Sequence, residues 1–128
     1  MKTIRFASEQ RYAGNKALVT VRLTGARVPI RVDMVVDSGA EVTVLNRDFI
    51  PVLGISRVTS GEPIELMVAN KDARPAWIHP VALEFFGRRM TVDAAFCPDW
   101  DMKNLLGMRG FFDQLVIAFD HRRQRLYV

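Results

Sequence analysis

Val35-Val36-Asp37-Ser38-Gly39-Ala40-Glu41-Val42-Thr43-Val44-Leu45 sets an acid in a short polar turn between two apolar runs. The run before it, Val28 to Val36, is rich in β-branched residues, which pack well on a pleated surface. Upstream, Ala17-Leu18-Val19-Thr20-Val21-Arg22-Leu23 alternates apolar and polar at period two, as a half-buried strand does. Thr24-Gly25-Ala26-Arg27 breaks the two apart, so they read as a hairpin that delivers the chain straight into Asp37. Val42 to Leu45 is then the next short strand.

Outward from this stretch the same grammar continues. Asn46 is placed to cap a brief helical turn through Phe49, which Pro51 limits. Glu62 to Ala69 reads as a strand, Asn70-Lys71-Asp72 as a hairpin tip, and Trp77 to Phe85 as the return after Pro75. Phe86-Gly87-Arg88-Arg89 turns the chain into Met90 to Phe96. A loop with Pro98 leads to Asn104-Leu105-Leu106-Gly107. Met108 to Gln114 carries a helix-like cluster, although Gly110 weakens it by about 1 kcal/mol relative to alanine. Leu115 to Phe119 and Arg125 to Val128 close with a hairpin. Many short strands and one short helix near the C-terminus predict an all-β closed barrel. No repeat, low-complexity segment or linker interrupts it, so residues 1–128 read as one domain.

Composition bounds the function. An apolar fraction of 49% and a charged fraction of 25% are those of an ordinary globular chain. No apolar run reaches the roughly 18 residues of a membrane span, and Met1 to Phe6 lacks the apolar block of a secretory signal. The lone Cys97 suits a reducing compartment, so a cytoplasmic location is expected, for this chain or for the soluble part of a longer one. The net charge of +4 includes a local cluster, His121-Arg122-Arg123-Gln124-Arg125. Without zinc-finger spacing or a ribonucleoprotein-type aromatic signature, the cluster is read as a solvated turn between strands rather than a nucleic-acid patch. His79, His121 and Cys97 are too irregularly spaced for a metal site, and no phosphate-binding loop is present, so no cofactor is expected.

Asp-Ser-Gly alone decides nothing. The triplet arises by chance in about 3% of chains this long, and all three residue types favour turns. Carboxylate-driven peptide hydrolysis needs a pair, one ionised to take a proton from water and one protonated to polarise the scissile carbonyl. The chain holds one Asp-Ser-Gly and no Asp-Thr-Gly. A two-fold homodimer would supply the second copy.

With these residues in view, Val35 to Leu45 resembles the apolar-apolar-Asp-Thr/Ser-Gly-Ala signature of the retropepsins, the family of retroviral proteases and their cellular and bacterial relatives. Leu105-Leu106-Gly107-Met108-Arg109-Gly110-Phe111-Phe112 is similar to that family's second signature, two apolar residues, glycine and a short helix. The interval between residues 37 and 105 leaves room for the family's flap hairpin. The resemblance implies a retropepsin-like barrel and an aspartic endopeptidase acting as a homodimer on a peptide or protein substrate. Asp37 would be the catalytic acid/base. Ser38 and Gly39 would support the loop, the serine hydroxyl reaching across the dimer. Ala40, Glu41, Val68, Ala69, Asn70 and Lys71 would border the extended substrate. Arg125 to Val128, with Ile4 to Phe6, is expected to help close the dimer.

One feature departs from the family. Retropepsin flaps carry tip glycines, and Val68 to Asp72 has none. The alternative expectation is therefore a catalytically weak or inactive retropepsin-like module for peptide binding or dimerisation. Trp77 and Trp100 fit either a substrate groove or packing at a barrel edge.

Overall fold

A computed structural model describes residues 3–12, 16–68 and 71–128. Its strands in chain order are β1 (Glu9–Arg11), β2 (Leu18–Leu23), β3 (Ile30–Val36), β4 (Thr43–Val44) and β5 (Glu62–Met67). Then come β6 (Ala73–Phe85), β7 (Arg88–Phe96), β8 (Leu105–Leu106), β9 (Ala118–Asp120) and β10 (Arg125–Tyr127). The period-two reading of the first hairpin is correct. In β2 the side chains of Val19, Val21 and Leu23 are buried and the residues between them exposed, and Leu18 to Leu23 pairs in register with Val35 to Ile30.

The large sheet has the order β2-β3-β8-β4-β7-β6-β5, and a further pairing of β2 with β6 closes six of these strands into a barrel. β5 lies outside the closure, paired only to the first half of β6. The core is filled by side chains such as Leu23, Met34, Phe85, Phe96, Leu106 and Phe111. The rings of Phe85 and Phe111 meet edge-on with centroids 5.1 Å apart. This is the all-β barrel expected from the strand pattern.

Several elements differ in extent from the sequence reading. β6 begins at Ala73 and carries both Pro75 and Pro80 inside it. Each proline has a strand on one flank only, Pro75 opposite Glu65 of β5 and Pro80 opposite Asp93 of β7, and by the alternation of the ladder its nitrogen turns to the other, open flank. The missing N–H therefore costs no ladder bond. The turn after Asn46 is a four-residue helix, α1 (Phe49–Val52), begun by the Asn46 side chain, whose Oδ1 accepts the Asp48 N–H at 2.9 Å. The helix near the C-terminus is a single 3-10 turn, Phe112–Gln114. Gly110 limits it, since its φ of +92° is left-handed and a Cβ there would press on the Asp93 backbone. Among the described residues, no helix is long and apolar enough to cross a membrane.

β8 has two residues, yet it joins the two halves of the barrel. It runs parallel to β3, with Val36 opposite Leu106, and antiparallel to β4, with Val44 opposite Leu105. The chain between β3 and β4 wraps over the segment that follows β8. Ala40 and Glu41 accept the N–H groups of Met108 and Arg109, each at 2.9 Å, and the Thr43 N–H returns to the Arg109 carbonyl at 3.0 Å. At the crossing lies Gly107, whose N–H donates to the fully buried Thr43 hydroxyl at 3.1 Å. A Cβ on Gly107 would stand 2.9 Å from the Ala40 carbonyl oxygen and closer still to that of Val42. Both obstacles are backbone and neither yields without moving a strand.

Gly107→Ala is therefore expected to destabilise the fold by at least about 3 kcal/mol, the upper end for overpacking a close-packed interior. Urea denaturation of the two proteins side by side measures it, and a loss under 1 kcal/mol would show that the crossing is looser than described.

Candidate active site

Asp37 is the first residue past β3, and its position is fixed by the same crossing. Its N–H donates to the Leu106 carbonyl at 2.9 Å, extending the parallel β3–β8 ladder by one bond. Its own carbonyl accepts the Ala40 N–H at 3.1 Å, which closes a tight turn over Ser38 and Gly39. One carboxylate oxygen, Oδ1, accepts the Gly39 N–H at 2.9 Å. A Cβ on Gly39 would approach that same oxygen at 3.1 Å, so glycine leaves the carboxylate its room. The turn that an isolated Asp-Ser-Gly implies is present. It is held from below by a buried strand, unlike a free surface turn.

A cavity of about 290 Å³ opens beside this loop. Asp37, Gly39, Ala40 and Glu41 line it from the loop. Apolar walls come from Val42 and Val44 of the β4 segment, Leu66 of β5, and Met102 and Leu105 of the loop entering β8. The hairpin of β5 and β6 contributes Glu65, Leu66 and Met67 to the cavity wall, and it is closed by Val68 N–H to the Asp72 carbonyl at 3.0 Å and Lys71 N–H to the Val68 carbonyl at 2.9 Å. Val68 is buried and Lys71 exposed, with φ of +65°, and neither is among the described residues lining the cavity. Ala69 and Asn70 lie outside the described residues. Ser38 is exposed and does not line this cavity. It borders a second cavity of about 460 Å³ together with Val35, Leu105, Phe119 and His121.

Sequence reasoning did not single out Leu66, Met102 and Leu105 as cavity-lining residues. The alternation of Ile64, Leu66 and Val68 toward one face was a signal for the first. Met102 has none, because its loop is placed by contacts distant in sequence. Asn46 donates from Nδ2 to Asp101 at 2.5 Å and to the Met102 carbonyl at 2.8 Å, while its N–H donates to the Asn104 side chain at 2.8 Å. The same loop presents Trp100, over which the Arg74 guanidinium of β6 sits 4.8 Å from the ring centre. That contact spans the flap and the loop, and the indole is attractive to the cation. Trp100 packs against the cluster of Val42, Val44 and Leu66 and beneath Arg74, while Trp77 lies within the β6 ladder opposite Pro63 and Phe96.

A second tie holds the base of the flap. Arg109, just past the crossing, makes a two-pronged ion pair with Glu62 at the start of β5, at 3.2 and 2.5 Å. It also lies 4.0 Å from Asp93. The hydrogen bond from Arg109, with its charge adding to it, holds the Glu62 carboxyl below its ordinary value. Of the remaining charged residues, Arg123 pairs with Asp120 and Arg125 with Glu9, while His121 hydrogen-bonds Tyr12. The basic cluster is the turn between β9 and β10, as its sequence suggested. Cys97 is fully buried.

A six-strand barrel, an aspartate turn at the end of β3 and a cleft walled in part by the β5–β6 hairpin define a protein of the retropepsin-like aspartic protease class. Residues 13–112 match the family described as "gag-polyprotein putative aspartyl protease", and the chain belongs to it. No curated protein matches the chain.

The flap-base tie has a pH signature. Because the Glu62 carboxyl is depressed in the fold, its contribution is complete above the ordinary carboxylate range and is lost as pH falls through the lowered value. Between those limits the thermal midpoint of the wild type is expected to fall more steeply with acid than that of Glu62→Gln. Parallel curves would show that the pair holds nothing.

Proposed function

We propose that the chain is an aspartic endopeptidase that works as a homodimer, with Asp37 of each copy forming one shared dyad. The observation that carries this reading is the placement of Asp37: a carboxylate held by a backbone crossing, on the wall of an apolar cleft that the β5–β6 hairpin also lines. Each chain supplies one such carboxylate, and the chemistry requires two. With the two about 3 Å apart, like-charge repulsion keeps one proton on the pair. The ionised member takes a proton from a water between them, and the protonated member donates toward the peptide carbonyl oxygen. Water oxygen then bonds the carbonyl carbon. The C–N bond breaks as the departing nitrogen receives a proton from the dyad.

Ser38 and Gly39 support the loop in this reading. Ser38 is exposed beside a cavity that no residue of the β5–β6 hairpin lines, which favours a reach across the dimer. An extended peptide would lie along Ala40 and Glu41 with the Val68–Lys71 tip above it, its side chains sorted by the apolar walls at Leu66, Met102 and Leu105. One domain over residues 1–128 suffices for this half-site.

Two features favour a second reading, a retropepsin-like module that binds peptide or dimerises with little hydrolysis. The flap tip lacks glycine, and the hairpin is tied at Glu62 and at Arg74. Specific, pepstatin-sensitive cleavage of an unbiased peptide library would exclude it.

Asp37→Asn is expected to lower cleavage by at least about a thousand-fold while leaving the protein folded and dimeric. A peptide-library digest scanned over pH, with the two proteins in parallel, makes the measurement. Undiminished proteolysis by the purified variant would sink the assignment.

A further inference from the structure

The outer face of the barrel carries an unbalanced row of arginines. In register across four neighbouring strands stand Arg31 of β3, Arg22 of β2, Glu84 of β6 and Arg89 of β7. Each alternates with buried neighbours, so the row points away from the core, and the three arginines are exposed. Arg22 lies directly opposite Arg31, and like charges in that position destabilise a sheet. The row's one acid, Glu84, lies 3.9 Å from Arg89, on the other side. Asp33, the next outward residue along β3, accepts the Thr20 hydroxyl at 2.7 Å. Among the described residues, Arg22 and Arg31 have no ion-pair partner. Elsewhere the chain balances its cations. In the small sheet of order β1-β10-β9, Arg123 pairs with Asp120 and Arg125 with Glu9. A like-charge pair that gains the fold nothing marks a surface kept for something outside the chain.

The row borders a groove of about 670 Å³. Arg22 and Arg89 line it, and Pro29 and Met90 give it apolar area. The turn joining β2 and β3 continues the surface with exposed Arg27 and with Val28, 69% exposed. The planar fork of arginine matches a carboxylate with two parallel hydrogen bonds. Among the described residues no aromatic ring lines the groove, so nucleic-acid bases would find nothing to stack on. Carboxylates interspersed with apolar side chains fit both the charges and the apolar area. Arg31 precedes Asp37 along one extended run, roughly 20 Å away at the rise of a strand. The cleft there disfavours the same ligand: Asp37, Glu41 and Glu65 line it and, among the described residues, no cation does.

We propose that this face is a docking surface for an acidic segment of a partner protein, a stretch in which glutamates or aspartates are interspersed with apolar residues. Arg22, Arg31 and Arg89 take its carboxylates, while Pro29, Met90 and Val28 take its apolar side chains. The segment stays outside the acid-lined cleft and is held without being cut. This assignment goes beyond the protease reading and does not depend on it.

The probe is a fluorescein-labelled peptide of alternating glutamate and leucine, titrated with the full chain while its anisotropy is read. The wild type should bind it, and binding should weaken as salt rises. Arg22→Gln combined with Arg31→Gln should raise the dissociation constant at least about ten-fold. That variant should melt no lower than the wild type, because it removes the like-charge pair, so its lost binding is not lost fold. Asp37→Asn should bind as the wild type does, and failure of the protease reading would leave the docking surface standing. A wild type that does not bind the peptide at low salt overturns the proposal. So does undiminished binding by the glutamine variant, and so does binding lost in Asp37→Asn, which would put the peptide in the cleft. A single-stranded oligonucleotide that binds more tightly than the peptide at equal salt would give the face to nucleic acid instead.

Discussion

The structure depends on a place where two backbones cross with no room for a side chain. Gly107 passes beneath the Ala40–Val42 segment so closely that carbonyl oxygens occupy the space of its Cβ. The crossing allows the two-residue β8 to sit between β3 and β4, parallel to one and antiparallel to the other. Such a strand is too short to persist alone. It is held by bonds at both ends, Val35 N–H to Asn104 and Gly107 N–H to the buried Thr43 hydroxyl. Asp37 inherits its position from this arrangement, because its N–H is the next rung of the β3–β8 ladder. A carboxylate on a three-residue turn would otherwise sample many orientations, each costing entropy to select.

The flap is coupled to the same crossing. Arg109 bridges to Val42 through its backbone and to Glu62 through its side chain, so one residue links the aspartate loop with the base of β5. Farther out, Arg74 rests on Trp100, whose loop is fastened by Asn46. Glycine-rich flaps gain mobility from backbone freedom. This tip has none of that residue, and Lys71 already adopts a left-handed conformation to make the turn.

What the sequence revealed follows the range of the interactions. The β2–β3 hairpin and the Asp-Ser-Gly turn are local, so alternation and turn chemistry were enough to place them. Parallel pairing of Val35 with Leu105 joins residues far apart in sequence, and only the likeness of the Leu105–Phe112 stretch to a known signature pointed to it. Phe111, Phe112 and Leu115 share helical spacing, yet only a 3-10 turn forms, because Gly110 must pass close to Asp93 in a conformation that ends a helix. The wall at Met102 comes from an irregular loop fastened by Asn46, a residue read only as a helix cap. The position of β10 inside its sheet was also hidden, since nothing in Arg125–Val128 distinguishes an edge strand from a central one.

The chain carries one Asp-Ser-Gly turn, so in the proposed homodimer reading the strength of association becomes a determinant of chemistry. In that reading the association free energy comes from burying apolar surface between the copies and from a peptide that contacts both halves at once. A peptide bridging both copies binds the dimer and not the monomer, so it draws the equilibrium toward the assembled site by mass action. On the proposed reading, the single carboxylate and the substrate share one physical logic: the cleft would be completed where substrate and partner are both present.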